Sequence, residues 1–125
     1  MENISKSEVG RKGEDIACEY LRKNGYKIIE RNYREVFGEI DIVARARDKT
    51  LVFVEVKTMR GFYPEGLQPE DQVSPAKKRK FEKISNFFAL KNPKLIDDKK
   101  GWRMDVLAII LIGETEHHIK HYENA

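Results

Sequence analysis

The amino-acid sequence predicts an α/β sandwich, a mixed β-sheet flanked by helices, and three observations carry that prediction. Two segments place apolar residues at helical spacing. Three consecutive segments rich in β-branched and aromatic residues lie between them, separated by short turns, and another strand-like run follows the second helix. The order α-β-β-β-α-β, closed by a short fifth edge strand, requires one layer of sheet with helices packed on it.

Each element has its own signals. Ser5-Lys6-Ser7-Glu8 fits a capping box, and Val9, Gly13, Ile16, Ala17 and Tyr20 recur at helical spacing until Asn24-Gly25 supplies a stop, so the first helix is expected over about Ser7 to Asn24. Strands are expected over Tyr26 to Tyr33, Glu39 to Ala46 and Leu51 to Thr58, with turns at Phe37-Gly38 and Asp48-Lys49. The stretch from Gly61 to Ser74 contains Pro64 and Pro69 and reads as a loop. Pro75 suits a first helical turn, and the second helix runs to about Leu90. Arg103 to Ile112 is the fourth strand and His117 to Tyr122 the fifth.

The chain has 125 residues, the size of one domain, and 40% hydrophobic with 36% charged residues is enough for a packed core. No run approaches the roughly 18 apolar residues of a membrane span, and Met1 to Gly10 lacks the apolar core of a signal peptide, so a cytoplasmic protein with no membrane partner is expected. The single cysteine, Cys18, excludes an internal disulfide and thiolate metal clusters and reads as a small core side chain. No glycine-rich phosphate loop, serine triad or cysteine-histidine pair is present, which disfavours hydrolysis by a protein nucleophile.

The 24 Lys+Arg against 21 Asp+Glu leave only +3, but the cations are grouped. Lys77, Lys78, Arg79, Lys80 and Lys83 form one group, Lys99, Lys100 and Arg103 a second, and Arg31 with Arg34 a third. They read either as solvated helix surface or as contacts to a phosphate backbone.

The segments Gly38-Glu39-Ile40-Asp41-Ile42-Val43-Ala44 and Leu51-Val52-Phe53-Val54-Glu55-Val56-Lys57-Thr58 form one hairpin in this reading. With the turn centred on Asp48, Ile40 faces Val56, Ile42 faces Val54 and Ala44 faces Val52, giving a wholly apolar face. The other face then sets Arg45 beside Leu51, Val43 beside Phe53, Asp41 beside Glu55 and Glu39 beside Lys57. Opposed residues have Cβ atoms about 4.5 to 5.5 Å apart, and like charges there repel unless compensated. Two converging carboxylates suit a hard divalent cation such as Mg²⁺ or Mn²⁺, and the Lys57 ammonium would stand at the edge of that site, able to position a water or stabilise charge on a phosphate. The competing reading is a Glu-Lys ladder on a solvated face, against which Phe53 argues for a covered one.

Glu14 shares the stripe of Gly10, Ala17, Cys18 and Leu21 on the first helix, placing an acid on or beside a packed face. Lys77 interrupts the stripe Val73, Phe81, Ile84 and Phe88 on the second, where it either snorkels or reaches the site as a second cation. His117 and His121 would align as metal ligands on a helix; on an edge strand, His117, His118 and His121 read as surface residues. Phe62, Tyr63 and Pro64 lie in the loop leaving the third strand.

Gly38-Glu39-Ile40-Asp41 followed by Val52-Phe53-Val54-Glu55-Val56-Lys57-Thr58 is similar to the PD-(D/E)XK nuclease signature. More narrowly, the chain resembles the YraN-type family of largely uncharacterised bacterial proteins. Gly10 with Gly13-Glu14, Leu21 to Tyr26, Arg31-Asn32-Tyr33-Arg34, Val73 with Lys77, and Arg103-Met104-Asp105-Val106 support this. The resemblance implies a restriction-endonuclease-like core, with archaeal Holliday-junction resolvases and RecB-like nucleases as functional analogues. It further implies Asp41 and Glu55 as metal ligands, Lys57 as the catalytic lysine, Glu14 as the first-helix acid and the Val56 backbone carbonyl as a further ligand. Two positions depart from the pattern: Ile40 stands where proline is common, and Met59 where an arginine commonly follows, a role that Arg60 is placed to take.

The expectation is therefore an Mg²⁺- or Mn²⁺-dependent endonuclease acting on DNA, structure-specific for branched DNA by analogy, with Lys77, Lys78, Arg79, Lys80, Arg60 and Arg34 holding the backbone. By the same analogy a homodimer is expected. The alternative is a non-catalytic nucleic-acid-binding or protein-interaction module on a nuclease scaffold.

Overall fold

The computed structural model describes residues 6–61 and 74–124. Helix α1 spans Lys6–Lys23, and strands β1 (Lys27–Glu35), β2 (Gly38–Arg45) and β3 (Leu51–Arg60) follow it. Helix α2 (Pro75–Lys91), a short 3₁₀ turn (Pro93–Leu95), β4 (Trp102–Ile112) and β5 (Glu116–Tyr122) complete the fold. The five strands form one sheet in the order β1-β2-β3-β4-β5. Only β3 and β4 run parallel, joined by the crossover through α2, so the sheet is mixed. This is the expected restriction-endonuclease-like α/β arrangement, with the edge strand β5 formed.

Local chemistry accounts for the boundaries. The proposed capping residue Ser5 lies outside the described residues, as do Phe62, Tyr63, Pro64 and Val73. At the other end of α1, the Tyr26 N–H bonds the Leu21 carbonyl at 2.9 Å and the Gly25 N–H bonds that of Arg22 at 3.1 Å, with Gly25 at φ +85°. That is a Schellman stop, which needs a residue without a Cβ at the left-handed position. Helix α2 starts where the Ser74 hydroxyl accepts the Lys77 N–H at 3.2 Å, with Pro75 at the first helical position.

The sheet is buried on both faces. Ala17, Cys18 and Leu21 of α1 pack with Ile42, Ala44, Val52, Val54, Leu107 and Ile109. Phe81, Ile84 and Phe88 of α2 pack on the opposite side with Ile40, Val43, Leu51 and Phe53, where Phe53 meets Phe88 and Trp102 edge-on at 5.6 and 5.2 Å. Helix α1 approaches β3 closely at Gly13, where a Cβ would lie 1.8 Å from Thr58 Oγ1. Among the described residues no helix is long and apolar enough to cross a membrane.

The expected hairpin register holds from Ile42↔Val54 to Arg45↔Leu51. It does not continue to the expected Asp41–Glu55 and Glu39–Lys57 pairs, and Ile40 does not join Ile42 on the α1 side. Ile40 is fully buried in the α2 core, with its β1 partner Tyr33, while Ile42 belongs to the α1 core. Two residues that strict alternation would put on one face thus lie on opposite faces. The same happens across the ladder: Arg31 reaches α1, whereas Tyr33 meets Phe88 of α2 edge-on at 4.9 Å. Asn32, between them, has φ +54°, a left-handed conformation that asparagine tolerates better than most residues. The change of face therefore occurs in β1 and β2 together, at Asn32 and Asp41.

Candidate functional site

Asp41 stands where β2 and β3 part. Its Oδ2 accepts the backbone N–H of Val56 at 2.8 Å, so the carboxylate occupies the hydrogen-bonding plane of the sheet in place of a β2 backbone group. Two carboxylates directly opposed across a ladder would repel, and moving Asp41 onto the Val56 N–H removes that opposition while satisfying a backbone donor. In an extended strand the N–H and C=O of one residue point to the same side, so the Val56 carbonyl opens toward the same fork.

The electrostatics at Asp41 are unfavourable to its charge. Burial pushes its carboxyl up to about 6; the Val56 N–H acts the other way, and the carboxylates of Glu14, Glu55 and Glu39 add to the rise. Glu14 comes from α1, its side chain only 13% exposed. Glu55 and Lys57 alternate with Val54 and Val56, which face α1, so both lie on the α2 side of β3, half-buried. Glu14, Asp41 and Glu55 thus bear on the fork from one face, from within the sheet and from the other face. Among the described residues, no three acid, histidine or cysteine side chains are gathered tightly enough to hold an ion without rearrangement. The donor set nevertheless fits a hard divalent cation: a desolvated carboxylate short of positive charge, further carboxylates acting on it and a backbone carbonyl facing the same gap.

A cleft of about 540 Å³ opens at the fork, lined by Val9, Gly10, Glu14, Asp41, Val56, Thr58, Met59 and Arg60. Arg60, exposed at the end of β3, is among the residues lining this cleft. Glu39 lies outside it, exposed and paired with Arg34 at 3.4 Å. Arg34 is itself 73% exposed, and such a surface pair contributes little to stability. Lys77 does not turn inward: it is exposed together with Lys78, Arg79 and Lys80, forming a cationic first turn and a half on α2.

Two side-chain networks go beyond the sequence reading, which places Arg31 and Arg103 among grouped cations and His121 on the surface. Arg31 bonds both Asp15, at 2.8 Å, and Glu14, at 3.4 Å. Asp105, fully buried on β4, accepts from Arg103 Nε at 3.0 Å and from the Asn124 N–H at 3.2 Å, and pairs with His121 Nε2 at 2.7 Å. His121 Nδ1 lies 3.0 Å from the Tyr20 hydroxyl, and Arg103 Nη2 donates to the Tyr26 hydroxyl at 2.9 Å. The surface reading of His117 and His118 agrees with their exposure, whereas His121, with a side chain 13% exposed, belongs to this buried network. An acid next to the apolar run Val106 to Ile112 was the sequence signal that a buried partner existed.

Residues 13–109 match the family described as Uncharacterised protein family UPF0102. A UPF0102 protein of Thermotoga neapolitana is 44% identical over 113 residues, covering 90% of this chain and 92% of its own. One from Pelobacter propionicus is 42% identical over 119 residues, covering 93% and 80% respectively. Another, from Campylobacter concisus, is 41% identical over 100 residues, covering 80% and 81%.

Proposed function

We propose, from the premise that this chain belongs to the uncharacterised protein family UPF0102, that it is a metal-dependent endonuclease hydrolysing DNA phosphodiester bonds. The observation that carries the reading is the Asp41 carboxyl, half-buried in the β2–β3 fork and pushed up to about 6 by desolvation where Glu14 and Glu55 also act on it. A cation would relieve that electrostatic cost; Asp41, Glu55 and the Val56 carbonyl would hold it, with Glu14 as the fourth donor. When bound, Mg²⁺ or Mn²⁺ supplies Lewis acidity toward a phosphate oxygen and a more acidic water.

The chain's own residues do the rest. Lys57, on the face of Glu55, offers an ammonium to the developing charge of the phosphate and to the attacking water. Arg60 at the cleft and the exposed Lys77, Lys78, Arg79 and Lys80 neutralise backbone phosphates on either side of the scissile bond, with Arg34 an outer contact. Val9, Met59 and Val56 give the cleft an apolar wall that limits water around the carboxylates. Branched DNA is the proposed substrate class and a two-fold dimer the proposed assembly, since paired sites suit paired nicks.

The test is Mn²⁺-dependent cleavage of linear, flap, four-way-junction and single-stranded DNAs. Wild type is expected to cut at least one of them, and Asp41→Asn, Glu55→Gln and Lys57→Ala to lose that activity. Binding without cleavage by wild type under all conditions would replace the enzyme with a nucleic-acid-binding module on the same scaffold.

A further inference from the structure

Arg31 is a cation bonded to an acid of the cleft, Glu14, for which the mechanism above has no use. It sits on β1 opposite Ile42, next to Asn32, and the left-handed turn at Asn32 is what sends Arg31 to the α1 side while Tyr33 goes to the other. There its Nη2 makes two unequal contacts. The one to Asp15 is 2.8 Å, the length of a strong charge-assisted bond; the one to Glu14 is 3.4 Å, outside that range. The two acids also differ in setting: Asp15 is 69% exposed and does not line the cleft, whereas Glu14 is 13% exposed and does. Asp15 thus fixes the arginine, and the arginine holds the cleft acid only loosely.

We propose that Arg31 is a positioning residue, a built-in counter-ion that keeps Glu14 beside the fork and releases it to an incoming divalent cation, while Asp15 retains the guanidinium. The inference rests on the metal-binding reading of Asp41 and Glu55. Its physical basis is exchange. Glu14 is nearly buried and lines the cleft together with Asp41, so two carboxylates meet there with the guanidinium beside one of them. A contact as long as 3.4 Å offsets part of their like-charge repulsion and still leaves the carboxylate free to change partners. An arginine bonded equally well to both acids would compete too strongly, and one without Asp15 would settle wholly on Glu14.

Mn²⁺ affinity measured by calorimetry on the full chain, without DNA, separates this role from simple structural support. Arg31→Gln should tighten Mn²⁺ binding on the order of tenfold, because a competitor for Glu14 and a nearby positive charge are both removed. In a Glu14→Gln background the same substitution should change affinity by less than about twofold, a coupling that a double-mutant cycle reads directly. Weaker binding in Arg31→Gln, or equal tightening in both backgrounds, would overturn the exchange role while leaving the metal site intact. Absence of Mn²⁺ binding in both wild type and Arg31→Gln would instead overturn the metal reading and this inference with it. Should Arg31→Gln not fold, Asp15→Asn replaces it. Freed from Asp15, Arg31 moves fully onto Glu14, and binding should weaken about threefold in the wild-type background and not in Glu14→Gln; unchanged affinity, or the same weakening in both, would overturn the proposal.

Discussion

Two aspartates of the sheet, Asp105 on its α1 side and Asp41 at the β2–β3 fork, have their carboxyls shifted in opposite directions. Asp105 is fully buried, yet although burial alone would raise its carboxyl, bonds from His121, Arg103 and the Asn124 N–H hold it below the ordinary value. Asp41 is less enclosed but receives one backbone N–H and faces other carboxylates, and it is raised to about 6. The difference teaches that burial does not by itself distinguish a structural acid from a functional one. What separates them is whether the fold supplies the compensating charge. At Asp105 it does so completely; at Asp41 it does not, and that is the charge the proposed cation would supply.

The largest expected effect comes from breaking the satisfied site. Asp105→Ala leaves Arg103 and His121 without their shared partner and should destabilise the protein by about 3 to 5 kcal/mol, measured by urea denaturation at neutral pH. A loss below about 1 kcal/mol would show that the network is not a structural anchor and would erase the contrast.

Asp41→Asn should act in the opposite direction. Because the folded value lies above the ordinary 3.8, the stability linked to Asp41 is fully present below about pH 4 and lost as pH rises through about 6. The asparagine variant escapes that loss and should exceed wild type by up to about 3 kcal/mol at pH 7 to 8, with the two curves converging in acid. Asp105 has the reverse dependence: its contribution is present above the ordinary carboxylate range and disappears as pH falls through its lowered folded value. A destabilised Asp41→Asn at pH 7.5 would mean that the carboxylate is already compensated within the fold.

Next in size is Gly13→Ala. The added Cβ meets the Thr58 hydroxyl and methyl group on the strand that carries Glu55 and Lys57, so a cost of about 1 to 3 kcal/mol is expected, partly relieved by pairing it with Thr58→Ala, which removes both. The smallest effect concerns the outer surface. Replacing Lys77, Lys78, Arg79 and Lys80 by Gln should leave the melting temperature within about a degree while making the logarithmic salt dependence of DNA binding shallower by up to about 3. An unchanged slope would remove α2 from the DNA contact surface.

The elements were legible in the sequence because each has a local cause: apolar spacing in α1 and α2, β-branched runs in the strands, and Gly25 and Pro75 at boundaries. The hairpin register was legible from Ile42 to Arg45 because only one alignment buries Val52 and Val54 with Ile42 and Ala44. It failed at Asp41, where a side-chain-to-backbone bond replaces the ladder and Asn32 turns the strand over, neither of which leaves a mark in hydrophobic periodicity. His121 was read as a surface residue for a similar reason: its partner Asp105 comes from another strand and Tyr20 from α1, so only the tertiary arrangement joins them. The acids and lysine of the fork were legible as residue types. That Glu14 is held by Arg31, and that Lys77 faces outward, were not.

The contrast between the two aspartates is tested most directly by following both carboxyl carbons by NMR across pH, with and without millimolar Mg²⁺. The account predicts that Asp41 titrates near 6 without the cation and moves below the ordinary carboxylate range with it, while Asp105 stays low in both. An Asp41 that titrates at an ordinary value and ignores Mg²⁺ would contradict the assignment of the fork as a cation site.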